Sequence, residues 1–205
     1  MLTEKERYMK QIIKITLLFI IIIWLLGCGG KGKSIEAQDP VLSKGSAEVS
    51  TIISPSRLKG LHAGEALALA NQWKTEAPYV TSFVTPEEVS FKFDDGEMVN
   101  IPIESEKMVV AVAPYINETH PCETHYMSGC QGELINVPVD VVVKSKDGTV
   151  IINESMKTMT NGFVELWLPR DMELGVIIES KGLRSDGTIS TYSSSNTCVT
   201  TFKLL

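Results

Sequence analysis

The sequence predicts a mainly β protein, with an antiparallel β-sandwich over residues 104–205 and a small α+β domain over residues 47–103 ahead of it. Three observations carry the prediction. From Met108 onward, short runs rich in Val, Ile and Leu follow one another at strand-like intervals. Residues that accept positive φ separate them, in Lys146-Asp147-Gly148, Asn161-Gly162 and Ser185-Asp186-Gly187. A helical period occurs before Met108 and not after it.

In chain order, Lys5, Arg7, Lys10 and Lys14 precede an apolar run over residues 15–26, which ends in Leu25-Leu26-Gly27-Cys28. This is the layout of a secretory leader with a lipoprotein cleavage box, in which small Gly27 allows cleavage. Residues 1–27 are therefore predicted to be a lipoprotein signal peptide and Cys28 the lipidation site. The run is shorter than the ~20 residues that span a bilayer. Membrane contact is thus expected only through the lipid, with the rest of the chain extracytoplasmic at the bacterial cell envelope. Residues 28–46, rich in Gly, Lys and Ser without apolar period, read as a flexible tether.

The chain carries a net charge of −6, and loss of the leader, with four basic side chains against Glu4 and Glu6, makes it more acidic. Nucleic acid is excluded as a partner on that ground. Leu61, Ala66, Leu69, Ala70 and Trp73 recur at three and four residues and predict one short amphipathic helix, with His62 in a capping or surface position. Pro78 and Pro86 bracket a break. Residues 89–93 and 98–103 then alternate around Asp94-Asp95-Gly96, a hairpin signature. Strands are predicted at 108–113, 134–144, 149–152, 163–168, 174–180, 188–192 and 198–204, with Trp73 and Trp167 in the core.

Residues 113–134 break this rhythm. Here His120, Cys122, His125 and Cys130 fall within eleven residues, bringing together two of the three histidines. With Cys28 assigned to lipid, three cysteines remain, and an odd number in an oxidising compartment leaves a thiol without an intramolecular partner. Thiolate and imidazole are ligands of soft and borderline metals, and thiolates favour copper(I) in two- or three-coordinate sites. Cys198, in the last predicted strand, is the third sulfur, and Gly129 and Gly132 let the loop bend. Glu118, Glu123 and Glu133 would attract a cation.

Three readings fit these residues. One is a metal site, with copper(I) first and zinc as the rival metal. Another is a structural disulfide between Cys122 and Cys130, worth roughly 2.5 kcal/mol by loop closure. The last is an enzyme of thiol–disulfide exchange or of copper(II) reduction, in which two thiolates each give one electron. Spacing alone does not choose among them. No phosphate loop, dinucleotide fingerprint or serine nucleophile with a base is present, so no catalytic residue is assigned beyond the redox-capable thiols. Met127 is the best auxiliary ligand in the loop, while Met156 and Met159 read as packing.

At these residues the sequence resembles the CueP periplasmic copper-binding family. Ala113-Pro114-Tyr115, Thr119-His120-x-Cys122-x-x-His125, Cys130-x-Gly132-Glu133-Leu134 and Thr197-Cys198 carry the resemblance. It implies extracytoplasmic copper binding and copper resistance, with ligands at Cys122, Cys130 and Cys198 and with His120 and His125 alongside. It also implies a homodimer and, for delivery, a copper-recipient protein. The predicted lipid anchor departs from members that are free in a periplasm.

Overall fold

The computed structural model describes residues 53–205, so the predicted leader, Cys28 and the tether lie outside the described residues. A 3₁₀ turn, Pro55–Leu58, leads to helix α1, Ala63–Glu76. His62 stands at its N-cap, where its backbone N–H donates to Glu65 Oε2 at 2.9 Å. The helix buries Ala63, Ala66, Leu67, Ala70 and Trp73, one stripe at helical spacing. Strands β1 (Thr81–Val84), β2 (Glu88–Lys92) and β3 (Met98–Pro102) form an antiparallel sheet beneath it, and Trp73 meets Phe91 edge-on at 5.6 Å. The stretch between Pro78 and Pro86, read as a break, contains β1.

Seven further strands follow: β4 (Lys107–Val112), β5 (Pro138–Ser145), β6 (Val150–Lys157), β7 (Val164–Pro169), β8 (Glu173–Ser180), β9 (Leu183–Ser190) and β10 (Cys198–Val199). They make two sheets, one of order β10-β4-β7 and one of order β6-β5-β8-β9. All pairs in them are antiparallel except β10 with β4, which is parallel and sets Cys198 beside Ala111. The expected strand 198–204 is thus a two-residue strand with an irregular tail. That tail returns to the fold where Lys203 bridges Tyr115.

The turn expected at Ser185-Asp186-Gly187 is instead inside β9. The chain reverses at Lys181 and Gly182, both at positive φ, as a two-residue hairpin requires. Gly187 serves close packing, because a Cβ there would lie 2.7 Å from the Phe202 ring.

The β10-β4-β7 sheet is covered on both faces, which explains why Met108-Val109-Val110-Ala111-Val112-Ala113 lacks polar alternation. Met108, Val110, Val112, Val164, Leu166 and Leu168 pack with Val141, Val143, Val176 and Ile178 of the larger sheet. On the opposite face Val109 joins the core under α1, and Trp167 packs against that core. Further along this face, Ala111, Ala113, Phe163, Cys130 and Cys198 form a third cluster, with Cys122 and Met159 against it. Among the described residues no helix is long and apolar enough to cross a membrane.

Candidate metal centre

The loop from Pro114 to Leu134 is stitched to β10 across 68 or more residues of chain, and this brings the cysteines together. Glu123 O accepts from the backbone N–H groups of Thr197 and Cys198 at 2.9 and 3.1 Å. Thr119 Oγ1 donates to Thr200 O at 2.9 Å, and Thr200 Oγ1 donates to His120 O at 2.7 Å. Buried Thr197 is the central tie: its Oγ1 accepts from His125 N at 3.0 Å and donates to Val84 O at 2.7 Å. Thr197→Val keeps the shape but strands a buried donor and a buried acceptor, and is expected to destabilise the fold by about 2–4 kcal/mol. Urea unfolding should show a lower midpoint at unchanged slope, with Thr197→Ser near wild type.

Glu133 lines the cleft beside His120 and also anchors the loop. Its carboxylate accepts from the backbone N–H groups of Ile116, Asn117 and Glu118 at 2.7, 2.9 and 3.3 Å, and from the Asn117 amide. These bonds, that of Ile116 first, hold its pKa down to about 2 from 4.5. A depressed carboxylate stabilises the fold above its unfolded pKa and loses that contribution as pH falls through its folded one. Wild type should therefore lose more melting temperature than Glu133→Gln on acidification from pH 4.5 to about 2. Equal losses would show that the loop does not depend on this anchor.

Cys130 is the hub of the site. Its Sγ lies 3.5 Å from Cys122 Sγ and accepts from Tyr126 N at 3.3 Å, and all three described cysteines are free thiols. Two trios of ligand atoms, each within 4.8 Å of one another, share it: His120, Cys122 and Cys130, and His125, Cys130 and Cys198. Bonds of about 2.3 Å, the zinc–thiolate value, would set sulfurs roughly 4 Å apart in a trigonal site, so either trio is within reach of one ion. All five predicted ligands are thus brought together, with Cys122 and Cys198 falling in different trios. Met127 is fully buried in the core under α1, whereas Met159 packs beside the cysteine cluster.

Burial and mutual hydrogen bonding divide the thiols. The neighbouring Cys198 thiol, then the nearby His125 imidazole and the Tyr126 N–H, hold Cys130 well below the usual thiol range. The same Cys198 contact, with burial, pushes Cys198 far above it. Burial raises Cys122. The cluster therefore concentrates one thiolate on Cys130.

His125 is fully buried, and neither ring nitrogen has a hydrogen-bond partner. Nε2 stands 3.5 Å from Glu165 Oε1, close enough for charge attraction but outside hydrogen-bond geometry. Burial works against its charged form, but the Cys130 sulfur and Glu165 outweigh it and its pKa is raised. Asn71 Nδ2 of α1 fixes Glu165 Oε1 at 2.8 Å, and Asn161 Nδ2 holds Asn71 Oδ1 at 3.3 Å. An unpartnered buried polar group costs about 1–3 kcal/mol, and a bound metal ion would relieve it. Glu165, Asn71 and Asn161 escaped the sequence reading because nothing in a strand or helix pattern ties them to residue 125.

A family described as periplasmic copper-binding protein CueP matches residues 66–203, a span that runs from within α1 to the tail and includes every residue of both trios. The chain belongs to the CueP family. A solved structure of this family, the crystal structure of S.CueP, is 30% identical, superposes with a TM-score of 0.68, and covers 81% of this chain and 100% of its own. No curated protein matches. The match spans both the small sheet and the sandwich, so the CueP fold includes the α1 residues that reach the site: Asn71, and Lys74, whose Nζ donates to Cys130 O at 2.7 Å.

Proposed function

We propose that this protein sequesters copper(I) outside the cytoplasm, for copper resistance or delivery, with Cys122, Cys130 and Cys198 as sulfur ligands and His120 and His125 beside them. The observation that carries the reading is the enclosed His125 imidazole, without a hydrogen-bond partner, next to Cys130 and Cys198 in an apolar cluster. Sulfur-rich, low-coordinate donor sets favour copper(I) over harder ions. Membership of a periplasmic copper-binding family agrees with this metal and compartment. The reading includes attachment to the membrane through lipid on Cys28, a homodimer, and a recipient protein for released copper.

Metal analysis of reduced protein, with copper and zinc offered together, tests the proposal. Bound copper in wild type, reduced by each of Cys122→Ser, Cys130→Ser and Cys198→Ser, is the expected result. Selective zinc uptake, or copper retained at one equivalent in all three variants, would overturn it. Sedimentation with and without copper tests the homodimer, and mass analysis of membrane-extracted protein tests the lipid on Cys28.

A second reading is favoured by the 3.5 Å between the sulfurs of Cys122 and Cys130, one short motion from a disulfide at about 2.05 Å. Two copper(II) ions would each take one electron from this pair, giving two copper(I) ions and one disulfide. If copper(II) leaves all three thiols titratable, that chemistry does not occur.

A further inference from the structure

On the basis of the copper(I) reading above, we propose that the centre has two metal positions sharing Cys130. The outer one, His120, Cys122 and Cys130, captures the ion, and the inner one, His125, Cys130 and Cys198, holds it. The two trios are distinct sets of atoms with one sulfur in common. Their exposure differs. His120 and Cys122 are half-buried, whereas His125 and Cys198 are 0% and 1% exposed.

His120 opens onto a cleft of about 360 Å³, lined also by Glu118, Thr119, Gln131 and Glu133. An ion arriving from solvent meets this trio first. The inner trio lies against Phe163, whose ring centroid is 4.6 Å from that of His125, and against Ala111. Its imidazole is, among the described residues, the one buried ring whose nitrogens are left without hydrogen bonds. The resting place of the ion is therefore inside.

Transfer is a ligand exchange with no change of oxidation state. The bond to Cys130 persists, the bonds to His120 and Cys122 break, and bonds to His125 and Cys198 form. Cys198 gives up its proton, and Cys122 takes one up. Low coordination of copper(I) lets the incoming ligands bind before the outgoing pair has left.

The test uses reduced full chain under anaerobic conditions, with capture followed by loss of the coloured copper(I)–bicinchoninate complex and release by excess bathocuproine. His120→Ala and Cys122→Ser should slow capture by about tenfold or more, with their main effect on that rate. His125→Gln and Cys198→Ser should instead speed release by about tenfold or more. Circular dichroism checks folding, and His125→Gln carries the inner arm if Cys198→Ser does not fold. Wild type that takes up no copper overturns the copper reading itself. Wild type that binds one copper, with all four variants changing capture and release alike, overturns the two-position arrangement alone.

Discussion

Cys130→Ser is expected to cost more copper(I) affinity than any other single substitution, on the order of a thousandfold or about 4 kcal/mol. Its sulfur belongs to both trios, so its loss leaves neither complete, whereas Cys122→Ser and Cys198→Ser each leave one trio intact. The effect on folding should be small, since a hydroxyl replaces a thiol at a position that is still 9% exposed. Competition with a chromogenic copper(I) chelator measures the affinities, and thermal unfolding separates them from stability. Equal losses for the three serine variants would mean that no sulfur is the hub.

Gly162→Ala should produce a large loss of stability. Gly162 has φ +80°, and a Cβ there would stand 2.6 Å from the backbone oxygen of Gly132. The reciprocal position is as tight, with a Cβ on Gly132 2.9 Å from Gly162 O, and Gly132 N donates to Asn161 O at 2.7 Å. Two backbones touch here with no room for a side chain, so the segments must separate. A cost of about 3 kcal/mol, or roughly 6–12 °C in melting temperature, is expected for a domain of this size. Gly148→Ala is the control. Its φ of +88° is similar but nothing lies within 4 Å, so only the backbone penalty of about 1 kcal/mol applies. Because Gly132 follows Cys130 by two residues, Gly162→Ala should also weaken copper retention. Similar losses in both variants would show that the close approach does not anchor the loop.

Much of this centre was legible in the sequence because chemistry clustered where secondary structure lapsed. His120, Cys122, His125 and Cys130 share one irregular loop, and an odd cysteine count points to Cys198. The α1 stripe and the hairpin around Gly96 follow from periodicity and turn chemistry. What the residues could not reveal was connectivity across the fold. β1 was hidden because two prolines flank it. β9 was cut short because Ser185-Asp186-Gly187 has turn composition, although Gly187 is there to admit the Phe202 ring. The division of the ligands into two overlapping trios depends on side-chain directions, as does the role of Glu133 as an anchor of the loop. Neither leaves a trace in spacing.

The brevity of β10 has a consequence for how the metal and the fold depend on each other. Only Cys198 and Val199 form a strand, and beyond them the chain is fastened by Thr200, by a single bridge at Lys203 in which Phe202 O and Leu204 N bond Tyr115, and by Leu205 to Arg184. Segments secured by few backbone bonds open at lower free energy than whole domains. Opening of residues 197–205 would carry off one sulfur and the Thr197 tie together, so a bound ion would rivet this segment to the loop. Amide protons of residues 197–204 should exchange more slowly in the metal-loaded protein, while those of β5 and β8 keep their rates.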